Sequence, residues 1–174
     1  KYLSEGLRGE FRYSDPVLIG EGLIKFKLQY QDLLKDQGLT IQVLGQVEGE
    51  QVPLLQFYCF DHLPHYYYGA EERDDRMSID QTTEGDPLDW SLWLLTNRLP
   101  ELIARAGFEQ VADEIDMSAL ATTLAEMETA ARKIAREQQV TVIHNRGDVI
   151  IEAGPIRFGV ENREPGIAIH VLGD

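Results

Sequence analysis

From Ile24 to Tyr30 the chain alternates without a break. Ile24, Phe26, Leu28 and Tyr30 fall on one side, and Lys25, Lys27 and Gln29 on the other. A period of two buries one face of a strand and leaves the other wet; on a helix the same residues would scatter around the axis. Such a strand needs partners, and LTIQVLGQVEGEQVPLLQFYCF (Leu39 to Phe60) supplies them as a hairpin. Ile41 and Val43 alternate with polar neighbours, Glu48-Gly49-Glu50 makes the turn, and the return strand runs from Val52 to Phe60. The intervening YQDLLKDQG is expected to form a short helical turn closed by Gly38.

Beyond Tyr68 the pattern changes. Between Glu71 and Asp89 eight acids face only Arg73 and Arg76, which reads as an exposed loop with a short strand at Met77 to Ile79. Asp86-Pro87 then starts a helix: Asp86 is a natural N-cap, Pro87 suits the first helical position, and acids favour the positive end of the helix dipole. Leu88, Leu92, Leu95, Leu99 and Leu102 recur at helical spacing, while Trp90, Trp93 and Leu94 point elsewhere, so cover on more than one face is expected. Pro100 should kink this helix by removing a bond to Thr96, and Gly107 should end it.

A second helix is expected from Ser118 to Glu137, with Leu120, Leu124, Met127, Ala131 and Ile134 as its apolar stripe. VTVIHN, DVIIEA, PIRFGVE and GIAIHVL, separated by NRG, AGP and NREPG, then read as a strand meander. The fold expected is α+β, with a mostly antiparallel sheet in the order strands, two helices, strands. One compact unit over residues 1–174 is expected, with subdomains 1–107 and 108–174, because the closing strands are too few to stand unaided.

Charge narrows the partners. Acids outnumber bases by 30 to 16, giving a net charge of −14 and a pI near 4.6. Such a surface repels phosphate backbones and anionic membranes, so neither nucleic acid nor a membrane is expected as a direct partner. The single cysteine cannot form an internal disulfide, which fits a reducing cytoplasm. The chain begins at Lys1, so the lack of a signal peptide carries no weight.

Chemistry concentrates in FYCFDHLPHYYYG (Phe57 to Gly69). Cys59, Asp61, His62 and His65 are all metal-ligand types, and His-x-x-His brings two imidazoles together if the backbone turns at Leu63-Pro64. Alternation opposes use of all four, since Phe57, Cys59 and Asp61 share one face and Tyr58, Phe60 and His62 the other. As a ligand pocket, Asp61, His65, Tyr66, Tyr67 and Tyr68 would offer hydroxyls and an imidazole to a small polar or cationic molecule. The simplest account is a strand end: Cys59 packs as a small hydrophobe, alternate tyrosines enter the core, and the middle one covers the rim. No Gly-rich phosphate loop, no Gly-x-Ser-x-Gly elbow and no calcium-loop spacing occurs.

The same run, followed by the acidic stretch, GDPLDW and a helix ending RAGF, resembles an uncharacterised bacterial family of hypothetical proteins. Its pattern is Phe-x-Cys-Phe-Asp-x-x-Pro-His-Tyr-His-Tyr, then Gly-Asp-Pro-x-x-Trp. Cys59, Phe60, Asp61, Pro64, His65, Tyr66 and Tyr68 match it, as do Gly85, Asp86, Pro87 and Trp90. The likeness covers about residues 40–108 and implies no activity. Tyr67 stands where the pattern has its second histidine, which removes half of any metal pair there.

The function expected is a cytoplasmic, non-enzymatic binding or interaction module without a cofactor, using His65 and the tyrosines. Its partner would be a protein or a small polar ligand. The alternative is a metal-dependent hydrolase or nuclease-like enzyme using Asp61, His65 and loop acids. Self-association as a dimer is expected through the alanine-rich second helix or the edge beside GIAIHVL. Asp61 and His65 are expected to act as a structural pair, with Asp61 accepting the backbone N–H groups of the Leu63-Pro64 turn.

Overall fold

The computed structural model describes residues 12–33, 36–69, 76–138, 140–145, 148–153, 156–163 and 166–172. Two compact units divide the chain, residues 1–132 and 133–174.

In the first unit the alternating strand sits in an antiparallel sheet. Its strands are β1 (Arg12–Tyr13), β2 (Val17–Ile19), β3 (Ile24–Leu33), β4 (Asp36–Val47), β5 (Glu50–Phe60), β6 (His65–Tyr68) and β7 (Arg76–Ser78). The neighbours run β1-β3-β4-β5-β6-β7, with β2 also paired to β3. Register puts Phe26 beside Val43, Leu28 beside Ile41, and Ile41 beside Phe57. These side chains are fully buried and form the sheet's contribution to the core.

The helical turn expected over YQDLLKDQG is corrected. β3 continues to Leu33 and pairs directly with β4, Gln31 opposite Gly38 and Asp32 opposite Gln37. The reason lies on the next strand: Gly38 sits against the Cys59 carbonyl so closely that a Cβ would overlap it. Gly38 thus serves strand approach and not helix termination. The β4–β5 turn falls where expected. Glu48 (φ 52°) and Gly49 (φ 84°) both take the left-handed region that a two-residue hairpin needs.

A bulge at Val43/Leu44 interrupts the β4–β5 ladder: Val43 pairs with Leu55 and Leu44 with Pro53, which leaves Leu54 as the extra residue. Leu54 and Leu55 are both fully buried as a result. Room for Leu54 comes from Gly45, where a Cβ would overlap Cδ1 and Cγ of that leucine.

Among the described residues four helices follow, two more than expected: α1 (Gln81–Glu84), α2 (Pro87–Arg105), α3 (Glu109–Glu114) and α4 (Met117–Gln138). α1 and α3 are too short to show a helical period, and α3 buries only Val111 and Ala112. In α2 the Asp86 carboxylate accepts the Asp89 N–H at 2.9 Å, and Pro87 takes the first position. Pro100 kinks the helix two residues upstream, where Arg98 has φ −135° and ψ 17°. Gly107 (φ 90°) ends it: the Gly107 N–H donates to Ala104 and the Phe108 N–H to Ile103, a Schellman closure. The double cover expected for α2 is corrected at Trp93, which is 55% exposed, although Leu94 is buried. α4 is capped by Asp116, which accepts from the Ser118 and Ala119 N–H groups, and buries Leu124, Met127 and Ala131.

Among the described residues the closing strands β8 (Val140–Asn145), β9 (Asp148–Ala153), β10 (Ile156–Arg163) and β11 (Gly166–Leu172) pair with one another, in the order β11-β10-β9-β8. The expected order of strands, two helices, strands around a shared sheet is therefore corrected. The sheet of the first unit is complete before the helices, and most of its pairings join strands adjacent in the chain. The fold of the first unit is α+β, an antiparallel sheet followed by helices. Among the described residues no helix is long and apolar enough to cross a membrane.

Candidate functional site

β5 and β6 form a hairpin across the turn 61–64, and their register sorts FYCFDHLPHYYYG onto two faces. Tyr58 pairs with His65, Phe57 with Tyr66, Gln56 with Tyr67 and Leu55 with Tyr68. Successive side chains alternate, so Phe57, Cys59, Tyr66 and Tyr68 share the face covered by α2. There Tyr66 stacks on Phe57 at 5.5 Å, meets Trp90 of α2 at 5.6 Å and meets Tyr68 edge-on. The Arg105 guanidinium lies 5.4 Å above the Tyr68 ring. Cys59 is buried, and its thiol donates to Ser91 Oγ (3.5 Å), which donates onward to the Pro87 carbonyl (2.7 Å). Burial pushes the Cys59 thiol up to about 12 and the Tyr66 phenol up to about 12. Cys59 is a neutral linker between β5 and α2.

The opposite face carries Tyr58, Phe60, His65 and Tyr67. Tyr58 and His65 lie parallel, 4.6 Å apart and inclined by 6°. Tyr67 closes on His65 edge-on at 5.5 Å, and Phe60 does so at 5.9 Å. Beneath them the buried Gln56 amide donates to the Gly69 carbonyl (3.1 Å) and accepts from Gln42 Nε2 (2.7 Å). His65 Nδ1 stands 2.7 Å from the Leu63 carbonyl oxygen and 3.3 Å from Arg76 Nη2; the shorter contact assigns the proton to Nδ1, with Nε2 as the acceptor. Partial burial, helped by the Arg76 guanidinium, holds the His65 pKa below its usual value; the Leu63 carbonyl and Asp36 act against this.

The expected Asp61–His65 pair is corrected. The acceptor that holds the turn is Asp36, at the start of β4, whose carboxylate takes the His62 N–H (3.0 Å) and the Leu63 N–H (2.8 Å). Asp61 instead accepts from Gln37 Nε2 at 3.0 Å, on the exposed side. Its carbonyl accepts from Gln81 Nε2 at 2.9 Å, across a polar cleft of about 280 Å³ beside the start of α2. His62 is exposed in the turn.

The four residues read as metal ligands are thus dispersed. Cys59 lies inside one face, His65 on the other, and Asp61 and His62 on the turn between them. Among the described residues no three His, Cys, Asp or Glu side chains converge as a metal-binding group. Of the pocket set, His65 and Tyr67 come together, whereas Tyr66 and Tyr68 turn into the helix-covered face. Sequence reading missed Gln42, Gln56, Tyr58 and Asp36 as neighbours of His65. The one available signal was the short turn 61–64, which pairs Tyr58 with His65 once its length is counted.

A sheet with α2 against one face and a layer of rings and amides on the other defines the class: an α+β domain. The chain belongs to the family described as a domain of unknown function, DUF7700, whose profile matches residues 18–131. That span ends one residue short of the end of the first unit. No curated protein and no solved structure matches the chain.

Proposed function

We propose that the first unit is a non-catalytic binding module whose contact surface is the sheet face around Tyr58, His65 and Tyr67. One observation carries this reading. The side-chain contacts that tie α2 to the sheet, Cys59–Ser91, Tyr66–Trp90 and Arg105–Tyr68, all fall on the opposite face. Tyr58 and Phe60 are buried in the ring layer, while the half-buried His65 and Tyr67 offer a ligand or a partner the His65 Nε2 lone pair and the Tyr67 hydroxyl as polar handles. The high pKa of Cys59 supports a binding role over thiol chemistry.

In the same proposal the module works in the cytoplasm, its shared motif is the Cys59–Tyr68 run with Gly85–Trp90, and the family is bacterial. Self-association belongs here as well. β11 ends its sheet, and a second copy pairing with that edge would give a dimer; a strict monomer by light scattering across the micromolar range would sink this.

A small-molecule and peptide screen by thermal shift tests the contact surface. Ligands that stabilise the parent should lose about tenfold or more in affinity in His65→Ala and Tyr67→Ala, but not in Trp93→Ala on the helical side. Equal affinity in all three variants would place the site elsewhere. Stoichiometric metal in protein purified without a His-tag, lost in His65→Ala, would favour the metal-dependent hydrolase instead.

A further inference from the structure

We propose that this sheet face docks an extended acidic segment of a partner protein, its carboxylates seated on Lys27 and Arg76; the inference rests on the contact surface proposed above. Pairing across five strands sets Lys27, Gln42, Gln56, Tyr67 and Arg76 in a single row. Uncharged hydrogen-bonding side chains lie between Lys27 and Arg76, and beyond Lys27 the pairing adds the exposed Leu18 of β2. Lys25 lies one alternation along β3, on the same face as Lys27.

Among the described residues of the unit, the lack of a carboxylate partner sets these cations apart from Arg98 and Arg132. On the helices Arg98 is bonded to Glu101, Arg132 to Asp89 and Glu128, and Arg105 covers the Tyr68 ring. Lys25, Lys27 and Arg76 join no ion pair among the described residues, and Arg76 Nη2 stands 3.3 Å from His65 Nδ1. In a chain of net charge −14, where acids are abundant, three cations without a carboxylate partner on one sheet face form a local site for carboxylates.

Geometry selects the kind of anion. Four inter-strand steps separate the row's ends, so Lys27 and Arg76 are ~19 Å apart. An extended peptide rises ~3.3 Å per residue, so two acidic side chains about six residues apart span the row. Nucleic acid fits less well. The inner faces of Tyr58 and His65 lie against each other at 4.6 Å, which leaves ring edges for hydrogen bonding more than faces for stacking bases. Long-range repulsion from the acidic chain also penalises a dense polyanion more than a peptide with two charges, because screening confines each repulsion to ~8 Å. Tyrosine, arginine and a flat sheet surface suit a protein contact.

The test uses fluorescein-labelled peptides and the full chain, read by anisotropy at low and at physiological salt. One peptide carries two glutamates about six residues apart, an isomer carries them adjacent, and a third has glutamine at both positions. Expected is binding of the first that weakens with salt, and about fivefold or more with Lys27→Gln, with Arg76→Gln, with the adjacent isomer and with the glutamine peptide. Melting temperatures equal to the parent's show that the variants are folded. No binding, equal binding of the glutamine peptide, indifference to both substitutions, or tighter binding of a single-stranded oligonucleotide each overturn the acidic-segment inference. If that happens while ligands from the screen still depend on His65 and Tyr67, the contact surface stands and only its partner is wrong. Independence from His65 and Tyr67 as well would remove the surface itself.

Discussion

The turn between β5 and β6 shows how one carboxylate can do what the local sequence assigns to another. Asp36 accepts two backbone N–H groups of the turn, while Asp61 holds a single exposed glutamine. Hydrogen bonds to charged groups contribute roughly 1.5–3 kcal/mol, and the exposure of these reduces that, so Asp36→Ala should cost about 1–2 kcal/mol. Asp61→Ala should stay within about 0.5 kcal/mol of the parent. Urea melts of the two variants decide it; the reverse ranking would return the turn to Asp61. His65 gives a pH signature. Its folded pKa lies below the unfolded value, so between the two the unfolded chain binds the proton and the folded one does not. The stability tied to neutral His65 is fully present above the unfolded pKa of about 6.5, and is lost as pH falls through that value towards the folded pKa. Between about pH 7.5 and about pH 5.5 the parent should therefore lose more stability than His65→Gln. Parallel curves would mean that the imidazole is not held neutral.

At the level of elements, the β4–β5 hairpin depends on the fit of a glycine to a bulge. Gly45 leaves the space that Leu54 fills, and the bulge sends Leu54 and Leu55 into the core together. Gly45→Ala overpacks this site and should cost about 1–3 kcal/mol. Leu54→Ala alone should cost about 2–5 kcal/mol by leaving a cavity. In the double variant the new methyl occupies space that the leucine has vacated, so the loss should fall short of the sum. Additive losses in chemical denaturation would show that the two side chains do not meet. α2 is governed by more local rules: an aspartate cap, a proline kink and a glycine stop, each within a few residues of its effect.

On the scale of the whole molecule, the sheet divides two kinds of chemistry. One face, with α2 against it, carries the core and the buried Cys59–Ser91–Pro87 chain. The other gathers rings, amides and cations without a carboxylate partner from strands far apart in sequence; Lys27 and Arg76 meet one row only because five strands lie between and beneath them. Domain of unknown function DUF7700 corresponds to this sheet-and-helix unit.

The sequence by itself determined what depends on neighbours along the chain. The alternation of Ile24–Tyr30, the Glu48–Gly49 turn and both ends of α2 were all legible, because periodicity and capping act over a few residues. It also separated Cys59 from Tyr58 and Phe60, since alternation along one strand puts residues of opposite parity on opposite faces. Only the tertiary structure decided which distant residues share a face. Asp36 reaches the turn at 61–64, and Tyr58 stacks on His65, through strand register, and register is set jointly by a bulge, two glycines and the burial of one whole sheet face. No local pattern encodes such a sum, so the residues around His65 emerged only when the strands were paired.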